Sequence, residues 1–222
     1  MKKILTIMAF LVLGLLVAGV ASAASPSEAS VSNAADLGEY SMTSSDNVSI
    51  EAGNVTYADL NSNMSTYRWA GLLGNASGNV ILGDSSNNIM FSWAGATPLM
   101  VYASLASSIA WSSLADATSS NMPTYLTGGS DADNYASTFT GSSQNISSHI
   151  FSISSDFATT LGSSIWKTYS LTDGSHLVWA GSVVAGGISY SGSTVDYQMI
   201  VPEDGTSGNT AATAYNLWIE LE

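Results

Sequence analysis

Between Tyr67 and the C-terminus, separate runs place apolar residues at every second position, a period that suits strands and not amphipathic helices. In "TYRWAGLL", Tyr67, Trp69, Gly71 and Leu73 share one face; in "NIMFSWAG", Ile89, Phe91 and Trp93 do. "SHLVWAGSVV" aligns Leu177, Trp179, Gly181 and Val183, and "TVDYQMIV" aligns Val195, Tyr197, Met199 and Val201. The final "AYNLWIELE" sets Tyr215, Leu217, Ile219 and Leu221 against Asn216, Glu220 and Glu222. Turn chemistry separates these runs. Asp173-Gly174 signals a two-residue hairpin, and "PEDGTSGN" (Pro202 to Asn209) a longer loop. The pattern predicts about ten short strands in a mainly β, antiparallel sandwich of jelly-roll type. Near 105–140 the alternation lapses, and a short helical or irregular insertion is expected there.

The glycines of "GLLGNASGN" (Gly71, Gly74 and Gly78) are not a phosphate cradle. Such a loop needs a lysine and the N-terminus of a following helix. Here no lysine is present and "VILGD", a strand-like run, follows. The stretch is therefore expected to be a turn with Asn75 at its exposed tip. The tripeptide Trp-Ala-Gly occurs at Trp69, Trp93 and Trp179. In a strand each Trp shares a face with the Gly two residues on, which leaves room for a ring over bare backbone. All three tryptophans are expected in the core.

The N-terminus "MKKILTIMAFLVLGLLVAGVASAASPSEA" has a basic end, an apolar run from Ile4 to Val20, and small residues at Ala21 to Ala23. This is the form of a secretory signal peptide over 1–23, cleaved between Ala23 and Ala24. The alternative is an uncleaved anchor, although the run is short for a span of about 20 residues. Removing residues 1–23 leaves 199 residues, enough for a single domain at 47–222. No membrane insertion is expected after cleavage. With no cysteine, neither disulfides nor a lipid-modified cysteine can contribute.

Charge narrows the partners. After residue 23 only Arg68 and Lys167 are basic, against seventeen acidic side chains, a net −15. Nucleic-acid binding depends on many Lys and Arg contacts to phosphate, so nucleic acid is excluded as a partner. Five Asn-x-Ser/Thr sites, Asn47, Asn54, Asn63, Asn75 and Asn145, are candidates for covalently attached glycans on an exported chain.

Residues 24–46 are poor in large apolar side chains and read first as a flexible stalk. Yet Ala29, Val31, Ala35 and Leu37 fall at even spacing, so the segment also reads as a donor strand for the open sheet edge of another copy.

Catalytic signals are weak. His149 and His176 lack a recognisable serine elbow or a nearby acidic partner, and two histidines without cysteine argue against a zinc site. Asp131, Asp133 and Asn134 resemble the start of a calcium loop, but the later Gly and bidentate Glu are missing, so a turn or helix cap is expected. No catalytic, cofactor or metal residues are assigned. Of six Trp and ten Tyr, most sit on the apolar faces and are expected in the core, whereas Trp218 alternates with Asn216 and Glu220 on the polar face of the last strand. That position suits a sugar contact, a subunit contact, or a ring covered by the second sheet of the same domain.

The stretches "WAGLLGNASGNVILGDSSNNIMFSWAG" with the following "VYAS", "VDYQMIVPEDG" and "AYNLWIELE" resemble a loosely characterised family of secreted archaeal β-rich surface proteins. The resemblance implies a Sec-exported, glycosylated exterior protein and carries no catalytic residues. At the level of architecture the chain is also similar to secreted sandwich subunits that polymerise by strand donation. The expected function is a non-enzymatic, self-assembling subunit of an extracellular filament or surface coat. The alternatives are a carbohydrate-binding or adhesion module and a secreted glycoside hydrolase.

Overall fold

The computed structural model describes residues 25–38, 40, 49, 51–59, 62–129, 131–141, 148, 150, 158–161, 165–205 and 212–222. The signal peptide with Ala23 and Ala24, His149, and glycan candidates Asn47 and Asn145 lie outside them, as do residues 206–211 of the long loop.

The chain is mainly β and every strand pairing is antiparallel. In order, the strands are β1 (Ser27–Glu28), β2 (Trp69–Gly74), β3 (Val80–Gly83), β4 (Ile89–Trp93), β5 (Pro98–Ser104), β6 (Ala115–Asp116), β7 (Ala158–Leu161), β8 (Trp166–Thr172), β9 (Leu177–Ile188), β10 (Thr194–Pro202) and β11 (Asn216–Leu221). One nine-stranded sheet runs β1-β11-β5-β9-β10-β2, with β8 pairing β9 and carrying β6 and β7. A separate two-stranded sheet holds β3 and β4.

The long β9 organises the larger sheet. Its first half lies between β5 (Met100↔Ser182 to Ala103↔Trp179) and β8 (Thr168↔Gly181 to Thr172↔Leu177). Its second half pairs with β10 (Thr194↔Ile188, Val195↔Gly187, Tyr197↔Val183). Strand β5 and the first half of β9 are covered on both faces, which explains why "PLMVYAS" and "LVWAG" read as near-continuous small and apolar runs. One face holds Val101, Ala103, Trp179, Met199 and Val201 with Leu126, Tyr135 and Phe139. The other holds Met100, Tyr102, Tyr169, Leu171, Val178, Ala180 and Trp218.

The stretch near 105–140 contains short helical pieces: 3-10 turns at Trp111–Ser113 and Ser119–Asn121, then α1 (Thr124–Thr127) and α2 (Tyr135–Thr138). It also supplies β6 and covers both faces of the sheet. Ile109, Trp111 and Leu114 lie over one, while Leu126, Tyr135 and Phe139 fill the other. The Tyr135 hydroxyl donates to the Ala117 carbonyl at 2.9 Å and lies 2.6 Å from Ser170 Oγ, tying the insertion to β8.

The Asp173-Gly174 turn is longer than two residues. Residues 173–176 join β8 to β9, with Gly174 at φ 92° and the Asp173 N–H donating to the His176 carbonyl. Asp173 holds the loop: Oδ1 accepts from the N–H groups of Ser175 and His176, and Oδ2 from that of Ala110. Burial pushes its pKa upward, but these N–H groups and the His176 ring outweigh burial and hold the carboxyl well below the usual range. A depressed carboxylate stabilises the fold above its unfolded value of 3.8 and loses that contribution as pH falls through the folded value. Asp173→Asn is therefore expected to cost about 1–2 kcal/mol at pH 7, with the gap to wild type narrowing below about pH 4. Urea unfolding at pH 7, 5 and 3 measures this, and a gap independent of pH would contradict it.

The three Trp-Ala-Gly motifs behave differently. Trp179 is 1% exposed, and a Cβ on Gly181 would meet Met199 Cβ at 3.1 Å, so this glycine lets β10 approach β9. Trp69 is half-buried, its ring 5.7 Å from that of Trp179, and a Cβ on Gly71 would meet nothing within 4 Å. Trp93 corrects the expectation of a core residue. It is 50% exposed because, among the described residues, β4 pairs with β3 alone, and Gly95 is a turn residue at φ 83°.

Residues 75–79 are likewise not a tip between paired strands, because β2 pairs β10 and β3 pairs β4. They form a strap. The Ala76 N–H donates to Asp196 Oδ2, Ala76 is buried, and Gly78 packs so closely on Leu221 that a Cβ would meet Leu221 Cδ1 at 2.6 Å. Asn75 itself is exposed.

Candidate functional site

The outer edge of β11 is the feature to which the N-terminal segment attaches. On its inner side β11 pairs β5 from Asn216↔Ser104 to Glu220↔Met100. On its outer side β1 pairs only Ser27↔Ile219 and Glu28↔Trp218, and the Ala29 N–H donates to the Leu217 carbonyl at 2.9 Å. Pro26 is buried at the start of this contact and Ala29 is half-buried. From Ser30 to Gly38 every residue is exposed, including Val31, Ala35 and Leu37. The structure thus places the pairing on Ser27 and Glu28, ahead of the evenly spaced 29–37 set. Pro26 has no N–H to give a ladder, and the serines and alanines after Glu28 add little strand propensity, so the strand stays short.

A cleft of about 260 Å³ opens where the segment leaves the edge. It is lined by Glu28, Ala29, Val31, Ser107, Tyr215, Asn216, Leu217 and Trp218. Two of the six β11 residues are paired by β1, so the groove continues the line a longer strand would follow.

The edge strand beneath is firmly held. Trp218 is 4% exposed, which corrects its reading as an exposed contact. Its face is covered by the insertion: the rings of Trp111 and Trp218 are 5.4 Å apart at 74°, and the Tyr102 ring lies 5.2 Å from Trp111. Glu220, on the same face, is 3% exposed and accepts from the Tyr102 hydroxyl at 2.5 Å. Burial first, then this hydrogen bond, pushes the Tyr102 phenol far above its ordinary value, so it stays a proton donor. Trp218 and Glu220 therefore face inward, while Asn216 at the start of β11 is exposed. Leu217, Ile219 and Leu221 on the other face are half-buried.

The remaining sequence candidates occupy other places. Asn54 and Asn63 are exposed, as Asn75 is, so the described glycan candidates face solvent. Asp131 and Asp133 both pair with Arg68, the latter at 3.4 Å, which places a cation already on the acidic pair. Asn134 is the N-cap of α2, accepting from the Ser137 N–H at 2.8 Å. Asp196 spends its two oxygens on the N–H groups of Gly186 and Ala76. His176 corrects the expectation of no acidic partner: its Nδ1 lies 3.1 Å from Asp173 Oδ2, three residues back in the β8–β9 turn. Among the described residues no three His, Cys, Asp or Glu come together as a metal site, and no helix is long and apolar enough to cross a membrane.

Sequence reasoning missed the role of Ser27 and Glu28. Main-chain pairing leaves no side-chain signature, and the signal available was only the proximity of a strand-compatible segment to Pro26. No protein-family model, curated protein or solved structure matches this chain.

Proposed function

We propose that this chain is a structural subunit of an extracellular surface assembly, a fibre or coat, in which the N-terminal segment of one copy lies on the β11 edge of the next. The observation that carries the reading is the two-residue β1, a small main-chain contact made by a segment otherwise exposed from Ser30 to Gly38. Exchange between copies repeats the same hydrogen bonds, so its cost is low, and the cleft beside Tyr215 to Trp218 leaves room for a longer strand. A head-to-tail contact of this kind builds an open filament when it does not close into a ring.

Export by the 1–23 signal, glycans at Asn54, Asn63 and Asn75 together with Asn47 and Asn145, and a jelly-roll sandwich belong to the same proposal. Support for two layers comes from Gly181 against Met199 and from the Ile200 N–H donating to Thr168 Oγ1 at 3.1 Å. The reading is non-enzymatic.

Deleting residues 24–46 while keeping the signal peptide tests it. The expected result in sedimentation velocity is loss of high-mass species, with an unchanged β-sheet circular dichroism spectrum. Assemblies of the wild-type size from the deleted protein would overturn the proposal.

A further inference from the structure

Strands β3 and β4 stand outside the larger sheet, and among the described residues no strand layer lies above their apolar side chains. Their register, Val80↔Trp93 and Leu82↔Phe91, puts these four side chains on one face, and alternation along β4 adds Ile89. Exposure is 44% at Val80, 50% at Leu82, 60% at Ile89, 54% at Phe91 and 50% at Trp93. The Phe91 and Trp93 rings pack edge-on against each other, 4.8 Å apart. The face offers on the order of 500 Å² of apolar surface, the upper end of what a monomer displays, and such patches mark interaction sites.

The hairpin is held in shape at both ends. At its turn Asp84 Oδ1 accepts from the N–H groups of Ser86 and Asn88 at 2.9 Å, and Oδ2 from the Asn88 amide at 2.8 Å. At its base Gly78 packs on Leu221, while Thr97 and Glu222 exchange two main-chain hydrogen bonds. A two-stranded ribbon alone is marginal in water, so a second layer would stabilise it.

We propose that the face formed by Val80, Leu82, Ile89, Phe91 and Trp93 is a contact between two copies of this chain, packed hairpin on hairpin about a two-fold axis. Charge selects this occupant. The chain carries seventeen acidic residues against four basic ones, yet between Val80 and Trp93 the only ionisable group is Asp84, at the turn. Two acidic copies therefore meet here without opposing carboxylates, whereas a basic partner finds no counter-charge on the face. A lipid surface fits less well, because the end of the hairpin is the polar "DSSNN" and insertion would bury Asp84. Area agrees: hairpin-on-hairpin packing buries about 1,000 Å² in total, below the ~1,600 Å² of a standard stable interface. Such a contact is weak alone and effective when repeated along a fibre. It does not depend on the β11 edge.

The test compares the full-length mature protein with the double variant Phe91→Ser/Trp93→Ser, and with Met90→Ser on the opposite face as control. Copies per particle are measured by light scattering, or mass per length by microscopy where fibres form. The double variant is expected to halve the mass and Met90→Ser to leave it unchanged, with thermal unfolding of both near wild type. Acrylamide quenching of Trp93, read as wild type minus Trp93→Phe, should fall as concentration rises. An unchanged mass in the double variant overturns the proposal. So does a wild type that stays monomeric at about 100 μM, or one that co-sediments with phosphatidylcholine vesicles through this face. The presence or absence of fibres reports on the β11 edge; the halving reports on the hairpin.

Discussion

Replacing Trp218 by alanine is expected to lower the unfolding free energy by about 3–5 kcal/mol, the range for deleting a buried large ring. The indole is 4% exposed, stands opposite Tyr102 in the β11–β5 register, and meets the Trp111 ring at 5.4 Å. Its removal opens a cavity bounded by an edge strand on one side and the insertion on the other. Neither can close in without breaking the β5–β11 ladder or the hydrogen bond between Tyr102 and Glu220. The same residue lines the cleft at the β1 attachment, so β1 should dissociate more readily as well. Urea unfolding of the variant measures the effect. A loss under about 1 kcal/mol would mean that the ring lies in solvent, as a surface sugar contact requires.

Gly187→Ala is expected to cost about 3 kcal/mol, although it adds a single methyl to a strand. That methyl would lie 2.6 Å from Trp166 Cζ2 and still closer to its Cη2, with the Val184 carbonyl 3.2 Å away. Trp166 cannot swing aside, because it is 1% exposed and its Nε1–H donates to the Ile188 carbonyl at 2.9 Å. Either the ring leaves its rotamer or β9 separates from β8. Gly71→Ala provides the contrast. Nothing lies within 4 Å of its added Cβ, so the change is expected to be neutral or to stabilise by about 0.5 kcal/mol through reduced chain entropy. Equal effects at the two sites, measured by thermal unfolding, would contradict the packing described for β8 and β9.

Alternation in the sequence identified which residues share a strand face, and β2, β4, β9, β10 and β11 follow it. It did not identify which face is covered. Alternation with Asn216 puts Glu220 on the polar side of β11 and leaves Trp218 open between a solvent contact and a covered ring. They are inside because residues 105–114, a stretch with no periodicity of its own, fold back over that face. Trp93 shows the reverse case: "IMFSW" has the pattern of a core strand, yet among the described residues its one strand partner is β3. Coverage is a long-range property, and a period of two is local. The β11 edge was legible only in outline. A segment able to donate a strand could be read from 24–46, whereas its register on Ile219 and Trp218 is set by main-chain hydrogen bonds that side chains do not encode.

Cross-chain disulfide trapping tests the edge assembly most directly, and the absence of native cysteine makes it clean. Ser27 and Ile219 are direct partners in the β1–β11 ladder, and paired antiparallel residues lie about 4.5–5.5 Å apart at Cα, within disulfide reach. Protein carrying only Ser27→Cys is mixed with protein carrying only Ile219→Cys, allowed to assemble, then oxidised and run on a non-reducing gel. If β1 of one copy lies on β11 of the next, the two chains join in a reducible heterodimer. Assemblies that form fully while the chains remain uncrosslinked would show that the edge is not exchanged.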